Sequence, residues 1–172
     1  MAKKQSKTKK GSKKRVSRRN KIQKGGNQQL IDAIKDNTKT PEQLFNDVRG
    51  LLLTDESIDL EYKSKQGRTP LYVASSLGYI DVVKALLEKG SNVNTQDKNG
   101  MSPIHSAAYN GDADIIDVLI AAPGISVNKT TNDGRTPLHF AANYNKLDAV
   151  KALLKHPAIS VNDEGPDIDS PI

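Results

Sequence analysis

The sequence predicts an all-α repeat solenoid, a row of stacked helix-turn-helix units that follows a disordered basic tail. Three observations lead to this fold class. A Gly-x-Thr/Ser-Pro motif recurs with its proline at positions 70, 103 and 137, and self-similarity at such an interval is typical of stacked repeats. Apolar doublets one helical turn apart follow each motif. The positive charge is concentrated in the first 24 residues.

The composition favours a solenoid over a single compact core. Of 172 residues, 35% are hydrophobic and 4% are aromatic, which is low for one core of that size. A stack tolerates this because each repeat buries only the sides that face its neighbours. The lack of cysteine excludes disulfides and thiolate chemistry, and no apolar run is long enough to span a bilayer. We therefore expect no transmembrane segment and no secretory signal.

Residues 1–26 are the predicted tail. Residues 1–24 contain twelve Lys and Arg and no acid, whereas residues 25–172 contain fourteen basic and twenty acidic residues. Self-repulsion and the scarcity of apolar side chains predict disorder. The residues expected to act in electrostatic attachment or targeting are Lys9, Lys10, Lys13, Lys14, Arg15, Arg18, Arg19 and Lys21.

Several roles remain open for this tail. It is compatible with a nuclear import address, with binding of nucleic acid or another polyanion through residues 1–24, with an anionic membrane surface, or with a solubilising arm. No aromatic residue interleaves the basic ones, so stacking on bases is not expected. The expected location is intracellular, nuclear or cytoplasmic, with the nucleus favoured because of the tail.

The rest of the chain, residues 27–172, is the predicted repeat domain. Residues 27–60 form a degenerate N-terminal capping repeat, because Leu60 precedes a recurring proline by ten residues as Val93 and Val127 do. The full repeats are predicted at 61–94, 95–128 and 129–162. Residues 163–172 are expected to be the truncated start of a fourth repeat or a partial cap.

Each full repeat is predicted to begin with a short capped helix. A Thr or Ser before the proline can accept a hydrogen bond from an unpaired amide, and proline suits the first turn because no donor is lost. Gly or Asn after this helix fits the left-handed backbone that ends it. The caps are Thr69, Ser102 and Thr136, and the terminating residues are Gly78, Gly111 and Asn145.

A second helix follows in each repeat. Its apolar doublets, such as Val82-Val83 with Leu86-Leu87, form a face broad enough to pack both on the partner helix and on the next repeat.

Gly-x-Thr-Pro-Leu-His, an alanine-rich helix, a glycine, a Val-Val/Leu-Leu helix and an ending such as Gly90-Ser91-Asn92-Val93-Asn94 resemble the ankyrin repeat. The resemblance is strong over residues 61–162 and weak over residues 27–60. It implies antiparallel helix pairs with projecting β-turn or hairpin loops. Two positions depart from the family pattern: its usual Asp is Ser64 or Thr131 in two copies, and its usual His is Tyr72 in the first.

The resemblance also implies a function. We expect a non-enzymatic protein–protein interaction module or adaptor that binds a protein through the concave face and the finger loops. The alternative is a nucleic-acid-associated or packaging protein that binds phosphates through the tail. The predicted partner-binding residues are Arg68, Leu77, Lys98, Met101, Tyr109, Asn132, Arg135, Asn143 and Tyr144.

Nothing in the sequence assembles a catalytic site. His105 and His139 occupy equivalent repeat positions, where the family uses the imidazole to tie loops together, and His156 is expected in an exposed turn. These histidines form neither a nucleophile–base set nor a ligand cluster. No glycine-rich run resembles a phosphate-binding loop. We therefore expect no enzyme activity, no cofactor and no metal.

Overall fold

The computed structural model describes residues 26–162, which form eight helices and contain no strand. The predicted tail, apart from its last residue, and the predicted partial repeat at 163–172 lie outside this range. The helices are α1 (residues 26–34), α2 (Pro41–Thr54), α3 (Pro70–Leu77), α4 (Ile80–Glu88), α5 (Pro103–Asn110), α6 (Ala113–Ile120), α7 (Pro137–Asn143) and α8 (Leu147–Leu154).

The helices pack in two rows. In one, called here the inner row, α5 packs between α3 and α7, and in the outer row α2, α4, α6 and α8 pack in succession. Each inner helix also packs on the outer helix that follows it in the chain. The predicted stack of helix pairs is therefore confirmed.

The recurring prolines occupy the first turn of the inner helices, as predicted. Thr69 accepts a hydrogen bond from Tyr72 N at 3.3 Å, and Thr136 accepts one from His139 N at 3.4 Å. In α5 the hydroxyl of Ser102 instead lies 2.7 Å from His105 Nδ1. These contacts satisfy groups that a helix start otherwise leaves without a partner.

The inner helices end where left-handed backbone was predicted. Gly78 and Gly111 have φ of 79° and 89°, and Asn145 has φ of 55°. Asn tolerates this region better than most side chains. Each short helix can therefore reverse within two or three residues into its outer partner.

A continuous apolar core runs between the two rows and through every unit. Burying one such side chain contributes about 1.5–3 kcal/mol. The largest fully buried apolar side chains are Leu30, Ile31, Ile34, Leu44, Val48, Leu71, Leu86, Ile104, Ile116, Leu119 and Leu153. Within the described residues no helix has the length and hydropathy needed to cross a membrane.

Candidate protein-binding surface

Three finger loops, at residues 62–68, 95–101 and 129–135, precede the inner helices. Each is closed like a hairpin. In the second, Asp97 N donates to Met101 O at 2.8 Å and Gly100 N donates to Asp97 O at 3.1 Å. The same two bonds recur between Ser64, Gly67 and Arg68 and between Thr131, Gly134 and Arg135.

Neighbouring finger loops are also joined to each other. Lys98 N donates to Gln66 O at 3.2 Å, and Asn132 N donates to Asn99 O at 3.0 Å. The side chain of Asn132 adds a bond to Lys98 O at 2.8 Å. Gly100 permits this approach, because a Cβ on it would lie 2.6 Å from Asn132 N. The loops therefore form one connected edge.

The loop that carries the family's usual Asp is the best braced. Asp97 accepts from Asn99 N at 2.9 Å and from Met101 N at 3.0 Å. Ser64 and Thr131, which replace it in the other loops, each accept one amide, at 3.2 Å and 3.1 Å. The hydroxyl of Thr131 also donates to the Asp133 carboxylate, which lowers the pKa of Asp133.

His105 ties the second repeat to the third. Its Nδ1 accepts from Ser102 N at 3.2 Å, and its Nε2 lies 3.2 Å from Arg135 O. Because Nδ1 accepts a hydrogen bond from an amide, Nε2 carries the ring proton and donates to the carbonyl. Burial lowers the pKa of His105 to about 4, so the ring is neutral at physiological pH.

The other two histidines are less enclosed. His139 is half-buried and its Nδ1 accepts from Thr136 N at 3.2 Å. His156 is also half-buried, which corrects the expectation that it is exposed, because its Nδ1 accepts from Ala158 N at 3.2 Å and draws the ring against its own turn. Within residues 26–162, no three His, Asp or Glu side chains converge on a position that could hold a metal ion.

Arg68, a predicted contact residue, is engaged within the fold. Its guanidinium carbon lies 5.2 Å from the centroid of the Tyr72 ring, and its Nε lies 3.6 Å from the buried Asp97 carboxylate. Such stacking on an aromatic face holds the cation in place. The Tyr72 hydroxyl in turn lies 3.9 Å from the sulfur of Met101. Tyr72 thus connects two residues that the sequence predicted to be free contacts.

The exposed aromatic residues lie at the far ends of the inner helices. Tyr109 at the end of α5 and Tyr144 after α7 have ring centroids 4.5 Å apart in an edge-to-face arrangement. They remain 44% and 47% exposed, and Leu77 at the end of α3 is 46% exposed. Asn110 separates Leu77 from the tyrosines and donates to Ser76 O at 2.9 Å. This strip of apolar surface spans three repeats.

The remaining predicted contact residues lie in the finger loops, apart from Asn143, which is the last residue of α7. Lys98, Asn132 and Asn143 are exposed, and Arg135 and Met101 are half-buried. Arg135 Nε lies 3.3 Å from the Asp133 carboxylate. The cationic residues of this set therefore lie in the finger loops, and its aromatic residues lie at the opposite ends of the inner helices.

A second line of bonds between repeats was not anticipated. Asn94 at the end of one repeat accepts from Ser126 N at 2.8 Å and donates to Gly124 O at 2.7 Å in the next. We call this series the asparagine ladder. Its other acceptors are Asn27 from Asp59 N, Glu61 from Asn92 N and Asn128 from Ser160 N. The recurrence of Asn at repeat-equivalent positions was the available signal.

Comparisons with known proteins agree with this geometry. Rabankyrin-5 from Mus musculus is 45% identical over 65 residues, which is 38% of this chain and 6% of that protein. Protein phosphatase 1 regulatory subunit 12A from Mus musculus is 35% identical over 94 residues, 55% of this chain and 9% of that protein. Serine/threonine-protein kinase VIK from Arabidopsis thaliana is 40% identical over 79 residues, 46% of this chain and 18% of that protein.

The chain spans less than a fifth of the length of each of these relatives. The profile for ankyrin repeats in three copies matches residues 19–97 and 90–164, which is most of the sequence. Ankyrin repeats generally mediate protein–protein interaction and are generally non-catalytic. By its sequence match and its helix-pair stack, the chain belongs to the ankyrin-repeat family.

Proposed function

We propose that this chain is a non-enzymatic adaptor that binds a protein partner through the finger loops and the exposed ends of the inner helices, the face predicted to be concave. The observation that carries the proposal is the Tyr109–Tyr144 pair, two large rings that touch each other and remain nearly half exposed. Tyr, Trp and Arg are the residues that most often anchor protein interfaces.

The support beneath the pair favours binding. Tyr109 lies in the last turn of α5, whose other side chains are largely buried. Tyr144 follows α7, in which Pro137 and Ala141 are buried. The finger loops that precede these helices are bonded to each other. A surface that is already ordered loses little conformational entropy when a partner docks. We therefore expect that little of the interaction energy gained from contacts at this surface is offset by the entropy cost of ordering it.

The basic tail supplies the second part of the proposal. We propose that it targets the protein within the cell, with the nucleus favoured, or attaches it to a polyanion. What supports this is the charge alone, because residues 1–24 contain twelve cations and no acid. The competing proposal is a nucleic-acid-associated or packaging protein, in which the same cations bind phosphates and binding weakens steeply with salt.

One experiment separates the two. Proteins are captured from lysate with and without nuclease treatment. The baits are the full-length protein, a Tyr109→Ala/Tyr144→Ala variant and a tail variant in which the eight predicted tail cations are changed to Gln. Leu53→Ala, which truncates a side chain 61% exposed on α2, is the matched control. Adaptor function predicts that the tyrosine variant loses specific proteins that the control and the tail variant retain.

The opposite pattern would contradict the adaptor proposal. In that pattern the tyrosine variant captures the same proteins as the full-length protein, whereas the tail variant captures none of them. Capture would also disappear after nuclease treatment or above roughly 0.3 M salt, and this result would favour nucleic-acid attachment.

A further inference from the structure

The three finger loops hold a disproportionate share of the positive charge. Residues 26–162 contain fourteen Lys and Arg and sixteen Asp and Glu. Six of those cations but only two of those acids lie in the finger loops. This edge is therefore cationic on a body that is slightly acidic overall.

The two finger-loop acids leave most of this charge unopposed. Asp97 is buried, where it accepts amides of its own loop and faces Arg68. Asp133 is held by the Thr131 hydroxyl and by Arg135. Each acid therefore faces an arginine rather than a lysine.

The finger-loop lysines are the free part of the charge. Among the described residues, the four of them form no ion pair with a carboxylate. Lys63 Nζ donates to the uncharged Gln96 O at 3.0 Å, and Lys65 and Lys98 are exposed. Within residues 26–162, each of the three loops thus holds at least one lysine that forms no ion pair.

The apolar strip lies at the far ends of the inner helices, beyond the loops that hold these cations. Tyr109 is six residues beyond Pro103, where α5 begins, so a rise of 1.5 Å per residue places it about 9 Å along the helix. An extended peptide covers that distance in about three residues at 3.3 Å each. A peptide segment of about three residues can therefore extend from the start of α5, next to the finger loop, to Tyr109.

We propose that the partner segment is an acidic peptide in which an aromatic or aliphatic side chain lies about three residues from its carboxylates. The carboxylates meet Lys65, Lys98 and Lys129, and the apolar side chain packs on Tyr109 and Tyr144. This rests on the proposed function and names the chemistry of its partner.

A peptide fits the surface better than a nucleic-acid strand. Asp133 lies among the cations and is exposed. Its carboxylate can accept the amide N–H groups of a peptide backbone, which a phosphodiester backbone does not offer. The exposed side chain of Asn132 can likewise bond a peptide backbone. The edge-to-face tyrosines offer an apolar ridge for a side chain rather than a row of parallel rings for successive bases.

The test uses full-length protein and a dye-labelled peptide, Asp-Glu-Asp-Gly-Ser-Phe-Gly. Two matched peptides replace its acids with Asn and Gln, or its Phe with Gly. Binding is followed by fluorescence anisotropy, and amide chemical shifts locate the bound peptide. We expect shifts at Lys98, Tyr109 and Tyr144, and at least a fivefold weaker Kd for each altered peptide.

Protein variants test the location of the charge. Lys65→Glu/Lys98→Glu/Lys129→Glu should weaken binding at least tenfold, and Tyr109→Ala/Tyr144→Ala at least fivefold. Lys84→Glu/Lys89→Glu/Lys151→Glu makes the same charge change on the outer row and should change Kd less than twofold. Circular dichroism confirms that each variant is folded.

Four outcomes would overturn the inference. The first is an equal loss of peptide affinity in both lysine variants, and the second is chemical-shift changes confined to residues 1–24. The third is binding of a twelve-nucleotide oligothymidine at Lys98 and Tyr109 that is tighter than binding of the peptide. The fourth is at least fivefold tighter peptide binding when Asp163→Asn, Glu164→Gln, Asp167→Asn and Asp169→Asn are made together. The last would assign the surface to the chain's own acidic segment. If lysate capture still depends on the tyrosines while acidic peptides fail to bind, the adaptor function stands and this inference falls.

Discussion

His105 and Arg135 are joined across a repeat boundary by a hydrogen bond of 3.2 Å from the imidazole Nε2 to the backbone carbonyl. The ring is fully buried, and its other nitrogen accepts from Ser102 N. A second proton on the ring would remove that acceptor and place a charge in the core. The junction between the second and third full repeats therefore depends on a neutral imidazole.

Stability should fall as the solution becomes acidic. Above pH 6.5 His105 is neutral whether the chain is folded or unfolded, whereas between 6.5 and about 4 only the unfolded chain takes up the proton. The free energy of unfolding thus falls by up to about 3 kcal/mol across that pH window. Urea unfolding at pH 7 and pH 5 should show about 2 kcal/mol of this loss.

His105→Gln provides the control for that prediction. Gln at this helix position can still accept from the cap amide but does not titrate, so the variant should be less stable at pH 7 and less sensitive to pH. Equal pH dependence in both proteins would assign the effect to carboxylates instead.

Gly100→Ala should destabilise the protein more than Gly90→Ala. Both glycines have positive φ, at 79° and 91°, so both changes carry the backbone cost of about 1–2 kcal/mol. Only at Gly100 would the new Cβ also lie 2.6 Å from Asn132 N, whereas nothing lies within 4 Å at Gly90. Thermal unfolding should separate the variants, and the Asn132 amide should exchange faster in Gly100→Ala. Equal destabilisation would show that the loop edge yields freely.

Ser91→Ile should stabilise the protein by about 1 kcal/mol. Ser91 occupies the repeat position that carries Ile58, Ile125 and Ile159 in the other units. Its hydroxyl is buried without a hydrogen-bond partner, and an open cleft between α4 and α6 adjoins it. Isoleucine would remove the unpaired group and fill apolar space.

The exposed Ser126 offers the comparison for Ser91. Ser126→Ile should change the urea midpoint little, because its side chain is in solvent. A lower midpoint for Ser91→Ile than for the wild type would mean that the cleft cannot hold the larger side chain.

Glu61→Gln should also be stabilising, by about 0.5–1.5 kcal/mol at neutral pH. Glu61 Oε1 accepts from Asn92 N at 2.7 Å, but its buried Oε2 has no partner. At equivalent places Asn94 and Asn128 donate to carbonyls of the next repeat. A glutamine can make that donation. The urea midpoint is compared with that of the wild type, and Asn94→Ala serves as the destabilised reference. An unchanged midpoint for Glu61→Gln would exclude a stabilising hydrogen bond from the glutamine.

The repeat period and the local chemistry of each helix end were sufficient to predict the fold. Pro70, Pro103 and Pro137 begin the inner helices, and even the left-handed Asn145 was predictable because it takes the place of a recurring glycine. Such features depend on a few neighbouring residues, so the sequence alone displays them.

The candidate surface was only partly predictable. Its residues could be placed on one side from the family resemblance, but the Tyr109–Tyr144 contact joins different repeat positions, residue 109 at a helix end and residue 144 just after one. The capture of Arg68 by Tyr72 and Asp97 likewise depends on the exact offset between adjacent units. The repeat period does not determine the distances between side chains of adjacent repeats.

The finger-loop bonds and the asparagine ladder join each repeat to the next along two separate lines. Because each repeat is bonded to the next along both lines, we expect neighbouring repeats to keep their relative angle and position. The separation between Leu77 and Tyr144 is then set by the fold rather than by the ligand. We therefore expect the protein to select ligands whose binding groups match the spacing of its repeats, and to reject ligands that would require the stack to bend.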